Sequence, residues 1–203
     1  MQAAGSRRLL LATHNEHKRR EFGRLLAAKP GAQGWEVGAL PASVTLPPEL
    51  GTTFAQNAIA KARAAATATG AVTIADDSGI EAAALGGAPG IRSARYAGDH
   101  ASDEENLAKL LREAPAGSAL EYVCVIAYVD PSRGGDGLLF EGRCRGRIAA
   151  EPRGERGFGY DPAFLPEDGP PGLTMAELSD EQKDAISHRG RAARALRAWL
   201  TGG

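Results

Sequence analysis

From Glu121 to Val129 the chain reads Glu-Tyr-Val-Cys-Val-Ile-Ala-Tyr-Val, an apolar run that barely alternates. A strand with one wet face shows a period of two, so this run predicts a central strand. Its apolar core, Tyr122 to Val129, falls far short of the ~20 residues a membrane-spanning helix needs. Helical patterns flank it in sequence. One runs from about Asn15 to Ala28 with Phe22, Leu25 and Leu26 on one face, ended by Pro30 and Gly31. A second opens with the capping pattern Thr53-Phe-Ala-Gln56, carries the stripe Phe54, Ala58, Ala62, Ala65 and stops before Gly70. A third follows Ser102-Asp-Glu-Glu105 and turns Leu107, Leu110 and Leu111 inward. Thr174-Met-Ala-Glu177 caps a helical segment carrying Lys183, and a terminal helix presents Ala192, Leu196, Trp199 and Leu200. Further strands are expected at Arg8 to Ala12, Trp35 to Leu40, Ala71 to Ala75 and Leu138 to Ile148. On the last of these Arg143, Arg145 and Arg147 share a face, either a solvated sheet surface or a subunit contact.

The chain has 203 residues, enough for one large domain or two lobes sharing a core. No internal repeat or low-complexity linker divides it, so residues 1–203 are expected to act as a single domain. A formal net charge of −1 gives no bulk attraction to nucleic acid, and any phosphate binding must rest on a local group of cations. Arg7 to Ala12 imitates a signal peptide only briefly, because its apolar run is shorter than the ~7–15 residues such a core needs. The reading is a cytoplasmic protein that does not enter a membrane. Cys124 and Cys144 lack both metal-motif spacing and the density of a disulfide framework, which predicts reduced thiols, Cys124 buried. His14 and His17 have no further His or Cys nearby and read as a solvated helix start rather than a metal pair.

Chemistry concentrates where the strand Ala71 to Ala75 runs into Asp76, Asp77, Ser78 and Gly79. Adjacent carboxylates repel, and near a sheet they lose hydration unless a cation or hydrogen bonds compensate. An Asx-type turn at the strand end is the alternative. Gly86, Gly87, Pro89 and Gly90 follow, residues suited to special backbone conformations or close approach.

Three other segments carry reactive residue types. At the junction of the first strand and helix, Thr13, Asn15 and Lys18 surround one point near backbone N–H groups, a phosphate cradle unless Asn15 is a simple cap with Lys18 in solvent. Leu46-Pro-Pro-Glu-Leu-Gly51 is a stiff loop bearing Glu49, and Asn57 and Lys61, four apart, share a helix face that is either solvated or the polar wall of a cleft. Gly157-Phe-Gly-Tyr-Asp-Pro-Ala-Phe164 sets aromatics between glycines with an acid before a proline, suited to stacking on a flat ligand or to packing inward. Lys183, His188 and Arg189 gather donors near a helix start.

Taken in order, Thr13-His-Asn-Glu-His-Lys18, Thr53-Phe-Ala-Gln-Asn-Ala58 with Lys61, Ala75-Asp-Asp-Ser-Gly79, Gly90-Ile-Arg-Ser-Ala-Arg-Tyr96, Phe158-Gly-Tyr-Asp161 and Ser187-His-Arg-Gly190 resemble the non-canonical purine nucleoside triphosphate pyrophosphatases, the inosine triphosphatase family. The resemblance runs from Leu11 to Leu200. It implies an elongated two-lobed α/β fold around a mixed sheet with flanking helices, a nucleotide cleft between lobes, and a homodimer. It implies magnesium-dependent cleavage of inosine, deoxyinosine and xanthosine triphosphates to monophosphate and pyrophosphate. By position Asp77 corresponds to the catalytic acid and a metal ligand, and Glu49 to the second metal ligand. Thr13, His14, Asn15 and Lys18 correspond to the triphosphate segment and Ser78 to a substrate contact. Phe158, Gly159, Tyr160, Asp161, Lys183, His188 and Arg189 correspond to the nucleoside end.

These assignments suit the chemistry. A triphosphate calls for a hard cation on oxygen ligands, with Lys18 and Lys61 offsetting charge on the leaving pyrophosphate. Asp77 is placed to accept the proton of the attacking water, a role it shares with metal ligation in proportions the residues leave open. Donors at Lys183, His188 and Arg189 welcome a 6-oxo purine and stay unmatched against adenine, a polar mismatch worth up to ~10⁴–10⁵ in discrimination. Two positions depart from the family pattern: His14 replaces a common glycine, and Gln56 replaces a common glutamate, with Asp76 as a compensating acid. Two other readings stand beside this one: a house-cleaning hydrolase for another modified nucleotide, and a nucleotide-binding regulatory module that cleaves nothing.

Overall fold

The structure, a computed structural model, describes residues 8–27 and 34–202. Six strands form one sheet in the order β2-β1-β3-β4-β5-β6. They are β1 (Arg8–Leu11), β2 (Glu36–Ala39), β3 (Thr73–Ala82), β4 (Ala119–Val129), β5 (Gly137–Ile148) and β6 (Phe164–Pro166). The sheet is mixed: β1 runs parallel to β2 and β3, whereas β5 and β6 pair antiparallel. Among the described residues five α-helices accompany it: α1 (Glu16–Leu26), α2 (Phe54–Thr69), α3 (Asp103–Glu113), α4 (Asp180–Ile186) and α5 (His188–Thr201). The α/β class and the mixed sheet expected from the sequence are therefore present. β4 is buried from Tyr122 through Val129, as its unbroken apolar run requires.

By contacts the chain divides into two compact units, residues 1–77, 125–140 and 193–203 in one and 78–124 and 141–192 in the other. In the first, α2 lays Ala58, Ala62, Ala65 and Ala66 against Ala12, Ala75, Ala127 and Val129. Side chains this small let the helix sit close to the sheet, so polar residues one step round the helix come within reach of β3. Thr53 caps α2 at its start, and Gly70, with φ of 68°, closes it in the left-handed conformation. In the second unit, Leu107 and Leu110 of α3 pack with Ile80, Leu120, Tyr122, Cys144, Tyr160 and Phe164.

Three boundaries and the burial of one ring differ from expectation. The predicted strand end at Ala75 is wrong, because β3 continues through Asp76, Asp77, Ser78 and Gly79 to Ala82. Asp76 and Asp77 are 1% and 4% exposed there, which a strand tolerates only when cations and donors meet the carboxylates. Asn15 is the N-cap of α1 rather than its first residue; the expected helix end at Ala28, with Pro30 and Gly31, lies outside the described residues, as does Arg7. Thr174 caps only a short 3-10 turn, Met175–Glu177, and the helix carrying Lys183 is capped separately by Ser179 with Gln182. Trp199 is 37% exposed, its ring set edge-on to Tyr128 at the margin of the apolar face.

Candidate functional site

The acids of β3 explain the first group of site residues, all in the unit that contains α1 and α2. Lys18 Nζ lies 2.9 Å from Asp76 Oδ2, whose side chain is fully buried. Lys61 Nζ donates to Glu49 Oε1 at 2.6 Å and lies 3.9 Å from Asp77 Oδ1. Asn57 Nδ2 donates to Asp77 Oδ2 at 2.8 Å, and its own Oδ1 accepts from Gly51 N at 2.8 Å. One asparagine thus ties the Glu49 loop to the acid of β3. The loop comes this close because residue 51 is glycine: a Cβ there would stand 2.6 Å from Asn57 Oδ1.

Burial pushes the Asp77 carboxyl above its ordinary value of 3.8, against the pull of Lys61 and with the push of Glu49. For Lys61 burial works to lower the ammonium, and the carboxylates of Asp76, Glu49 and Asp77 outweigh it, so its net direction is up. Lys61 therefore carries its charge into a site that is otherwise acidic.

At the β1–α1 junction the hydrogen bonds are local. Thr13 Oγ1 accepts from Asn15 N at 3.1 Å and Asn15 Oδ1 accepts from Lys18 N at 3.0 Å. Asn15 is a cap, as one alternative held, but Lys18 is not in solvent, since its ammonium meets Asp76. His14 is exposed, and so is Gln56, whose Oε1 accepts from Thr52 N at 2.7 Å. Gln56 thus stabilises the entry to α2 and does not point at the acids.

The second group lies within the other unit. Asp161 accepts from Tyr122 Oη at 3.0 Å, from Lys183 Nζ at 2.7 Å and from Phe158 N at 3.0 Å. Gly157, at φ of 73°, makes room for it, since a Cβ there would stand 2.1 Å from Asp161 Oδ2. Asp161 is 2% exposed and Lys183 5%, a buried pair whose geometry supplies the hydrogen bonds such a pair requires. Lys183 Nζ lies 5.0 Å from the Phe158 ring centroid and the Arg189 guanidinium 5.5 Å from it, so two cations share one half-buried aromatic. Arg189 Nη2 donates to Ser78 Oγ at 2.9 Å. Tyr160, expected beside Phe158 as a stacking ring, is 5% exposed in the core and donates its hydroxyl to Ser93 O at 2.7 Å. Its side chain anchors the loop, and Gly159 N is held by Asp103 at 2.9 Å.

Sequence reasoning named Asn57 and Lys61 without committing them to the site, although their four-residue spacing was the available signal. It missed Tyr122, whose place inside an apolar strand carries no mark of a polar role. Among the described residues no three His, Cys, Asp or Glu groups converge in metal-ligand fashion. Glu49 and Asp77 are nonetheless hard oxygen donors sharing one lysine, and Mg²⁺ is usually held by one or two carboxylates with substrate phosphates completing its shell. The donor set fits such an ion. No described helix is long and apolar enough to cross a membrane. Both cysteines are buried and outside any disulfide, and burial pushes the Cys144 thiol up to about 12.

Known proteins resemble this chain along nearly its full length. It is 47% identical over 194 residues to the dITP/XTP pyrophosphatase of Mycolicibacterium paratuberculosis, covering 93% of each chain. With the dITP/XTP pyrophosphatase of Deinococcus radiodurans it shares 46% over 195 residues, covering 95% of this chain and 92% of the other. Among solved structures, the HAM1 protein of Coxiella burnetii superposes with a TM-score of 0.81 at 39% identity, covering 97% of this chain and 99% of that one. The Ham1 protein of Staphylococcus aureus gives 0.78 at 40% identity, covering 96% and 98%. The Ham1 family model matches residues 9–199, and this chain belongs to the Ham1 family.

Proposed function

We propose that this protein hydrolyses non-canonical purine nucleoside triphosphates (dITP, ITP and XTP) to the monophosphate and pyrophosphate, removing them from the nucleotide pool. The relatives named dITP/XTP pyrophosphatase support the substrate class. The observation that carries the chemistry is the buried group in which Lys61 meets both Glu49 and Asp77, and Asn57 fixes the second oxygen of Asp77. A carboxylate taken out of water, as that of Asp77 is, is costly unless a cation, hydrogen bonds or a bound proton compensates.

In this reading Glu49 and Asp77 hold a magnesium ion, which when bound supplies positive charge to the triphosphate oxygens. Asp77, kept in place by Asn57, accepts the proton of the attacking water. Lys18 and Lys61 offset charge on the departing pyrophosphate, and Thr13, His14 and Asn15 present the start of α1 to the phosphates. Ser78 contacts the substrate between its phosphates and its nucleoside, next in chain to Asp77. Phe158, with the main chain of Gly159 and Tyr160, bounds the base; Lys183, His188 and Arg189 offer donors to a 6-oxo group, with Asp161 holding Lys183.

The same proposal takes residues 1–203 as one catalytic domain, working as a homodimer in the cytoplasm. A panel of dITP, ITP, XTP, dATP and dGTP tests it: inosine and xanthosine substrates should turn over at least ~10²-fold more efficiently than dATP. Equal turnover of dATP defeats the substrate assignment, and binding without product over long incubation would favour a regulatory module.

A further inference from the structure

Tyr122 contacts two members of the second residue group, Asp161 and His188, although nothing in its sequence context marks it as polar. Its hydroxyl donates to Asp161 Oδ1 at 3.0 Å, while Asp161 Oδ2 receives Lys183 Nζ at 2.7 Å and Phe158 N at 3.0 Å. Its ring lies parallel to that of His188, with centroids 4.4 Å apart and planes 3° apart. The same ring packs against that of Phe164, with centroids 4.7 Å apart and planes tilted by 53°. Such a parallel pair limits rotation of the imidazole about its own bond, so the plane of His188 follows the plane of Tyr122. Burial, with Asp161 alongside, holds the phenol well above its ordinary value, so it remains a donor across the working pH range.

We propose that Tyr122 is a positioning residue for purine recognition: its hydroxyl sets Asp161, and through it Lys183, while its ring sets the plane of His188. This rests on the proposed function, in which Lys183 and His188 face the base. One residue of the central strand then orients the two donors together. Without its hydroxyl, Asp161 Oδ1 loses a buried partner and the carboxylate is held through Oδ2 alone, by Lys183 and Phe158 N, so its orientation and with it that of Lys183 is less firmly set.

The base lies away from the bond that breaks, so contacts to it act alike on bound substrate and transition state and appear in KM. Tyr122→Phe keeps the stack and should raise KM for dITP about tenfold, with kcat within about twofold of the parent. The preference for dITP over dATP, as a ratio of kcat/KM, should fall by about the same factor. 4-Aminophenylalanine at position 122 restores a donor on the same ring and should return the ratio toward the parent value. A tyrosine that merely packs would lower the active fraction, reducing kcat while leaving KM and the ratio unchanged, and that result overturns the inference. So does a ratio that 4-aminophenylalanine fails to restore.

Should Tyr122→Phe not fold, the unmodified protein labelled with ¹³Cζ-tyrosine gives the reading. Binding of the α,β-imido analogue of dITP should shift the Tyr122 resonance and tripolyphosphate should not. Binding of the dITP analogue without a shift there overturns the inference. The unmodified protein serves as the control for the reading beneath it: no preference for dITP over dATP in that sample refutes the proposed function itself, whereas a clear preference that Tyr122→Phe preserves refutes only the role of Tyr122.

Discussion

Asp77 carries more of the account than any other side chain. It sits in mid-strand, 4% exposed, with one oxygen bonded to Asn57 and the other near Lys61. Burial, the largest influence on it, lifts its carboxyl above 3.8. A carboxyl raised in the folded state keeps its proton where the unfolded chain has lost it. Ionising it therefore costs stability, a cost absent below 3.8 and complete above the raised value. In EDTA near neutral pH, Asp77→Asn should melt above the parent while losing turnover. Calorimetry across a pH series should show the gain shrinking as the pH falls toward the ordinary carboxylate range. An active Asp77→Asn protein would remove Asp77 from the reaction, and a gain that grows on acidification would contradict its raised carboxyl. Asp76 differs: its side chain is fully buried, and the Lys18 ammonium 2.9 Å from its Oδ2 offsets its charge.

At the scale of elements, the helices and most strands were legible because each carries a periodic apolar pattern or a cap. Ser102 with Glu105, Thr53, and the unbroken run of β4 all act through neighbours in sequence. The course of β3 was not legible, since its acids are met by Lys18, Asn57 and Lys61, which come from α1 and α2. Local rules see a turn there; tertiary partners make it a strand. Tyr122 carries no polar mark in sequence, and for Tyr160 the inward-packing alternative describes the ring, which is buried with its hydroxyl on Ser93 O. Sequence offers the aromatic type, and only packing tells which hydroxyl finds a buried acid. The joint between the Glu49 loop and α2 gives an element-scale prediction. Gly51→Ala places a Cβ 2.6 Å from Asn57 Oδ1 and 2.8 Å from Gln56 Cβ. It should destabilise by about 1–3 kcal/mol and, by displacing Asn57 from Asp77, lower kcat roughly 10²-fold. Thermal melts and steady-state kinetics on the same preparation check both; an unchanged kcat would show that the loop does not set the acid.

For the whole molecule, one unit holds an acid-and-lysine group, Glu49, Lys61 and Asp77, and the other an aromatic-and-donor group, Phe158, Asp161, Lys183 and Arg189. A site with two protein carboxylates has few ligands of its own, so metal and nucleotide should bind together better than apart. Mg²⁺ and the α,β-imido analogue of dITP added together should raise the melting temperature by more than the sum of their separate effects. The ceiling is set by mass action, about 2.7 kcal/mol at a hundredfold excess over Kd. Strictly additive shifts would argue for a metal site complete without substrate.

The central claim is that water attacks so as to release pyrophosphate, with Asp77 as the acceptor of its proton. Ion chromatography of dITP incubated with the protein and Mg²⁺ tests it most directly. The account predicts dIMP and pyrophosphate in equal amounts, no orthophosphate, and no product with EDTA or with Asp77→Asn. Release of orthophosphate with dIDP, or full product formation in EDTA, would contradict it.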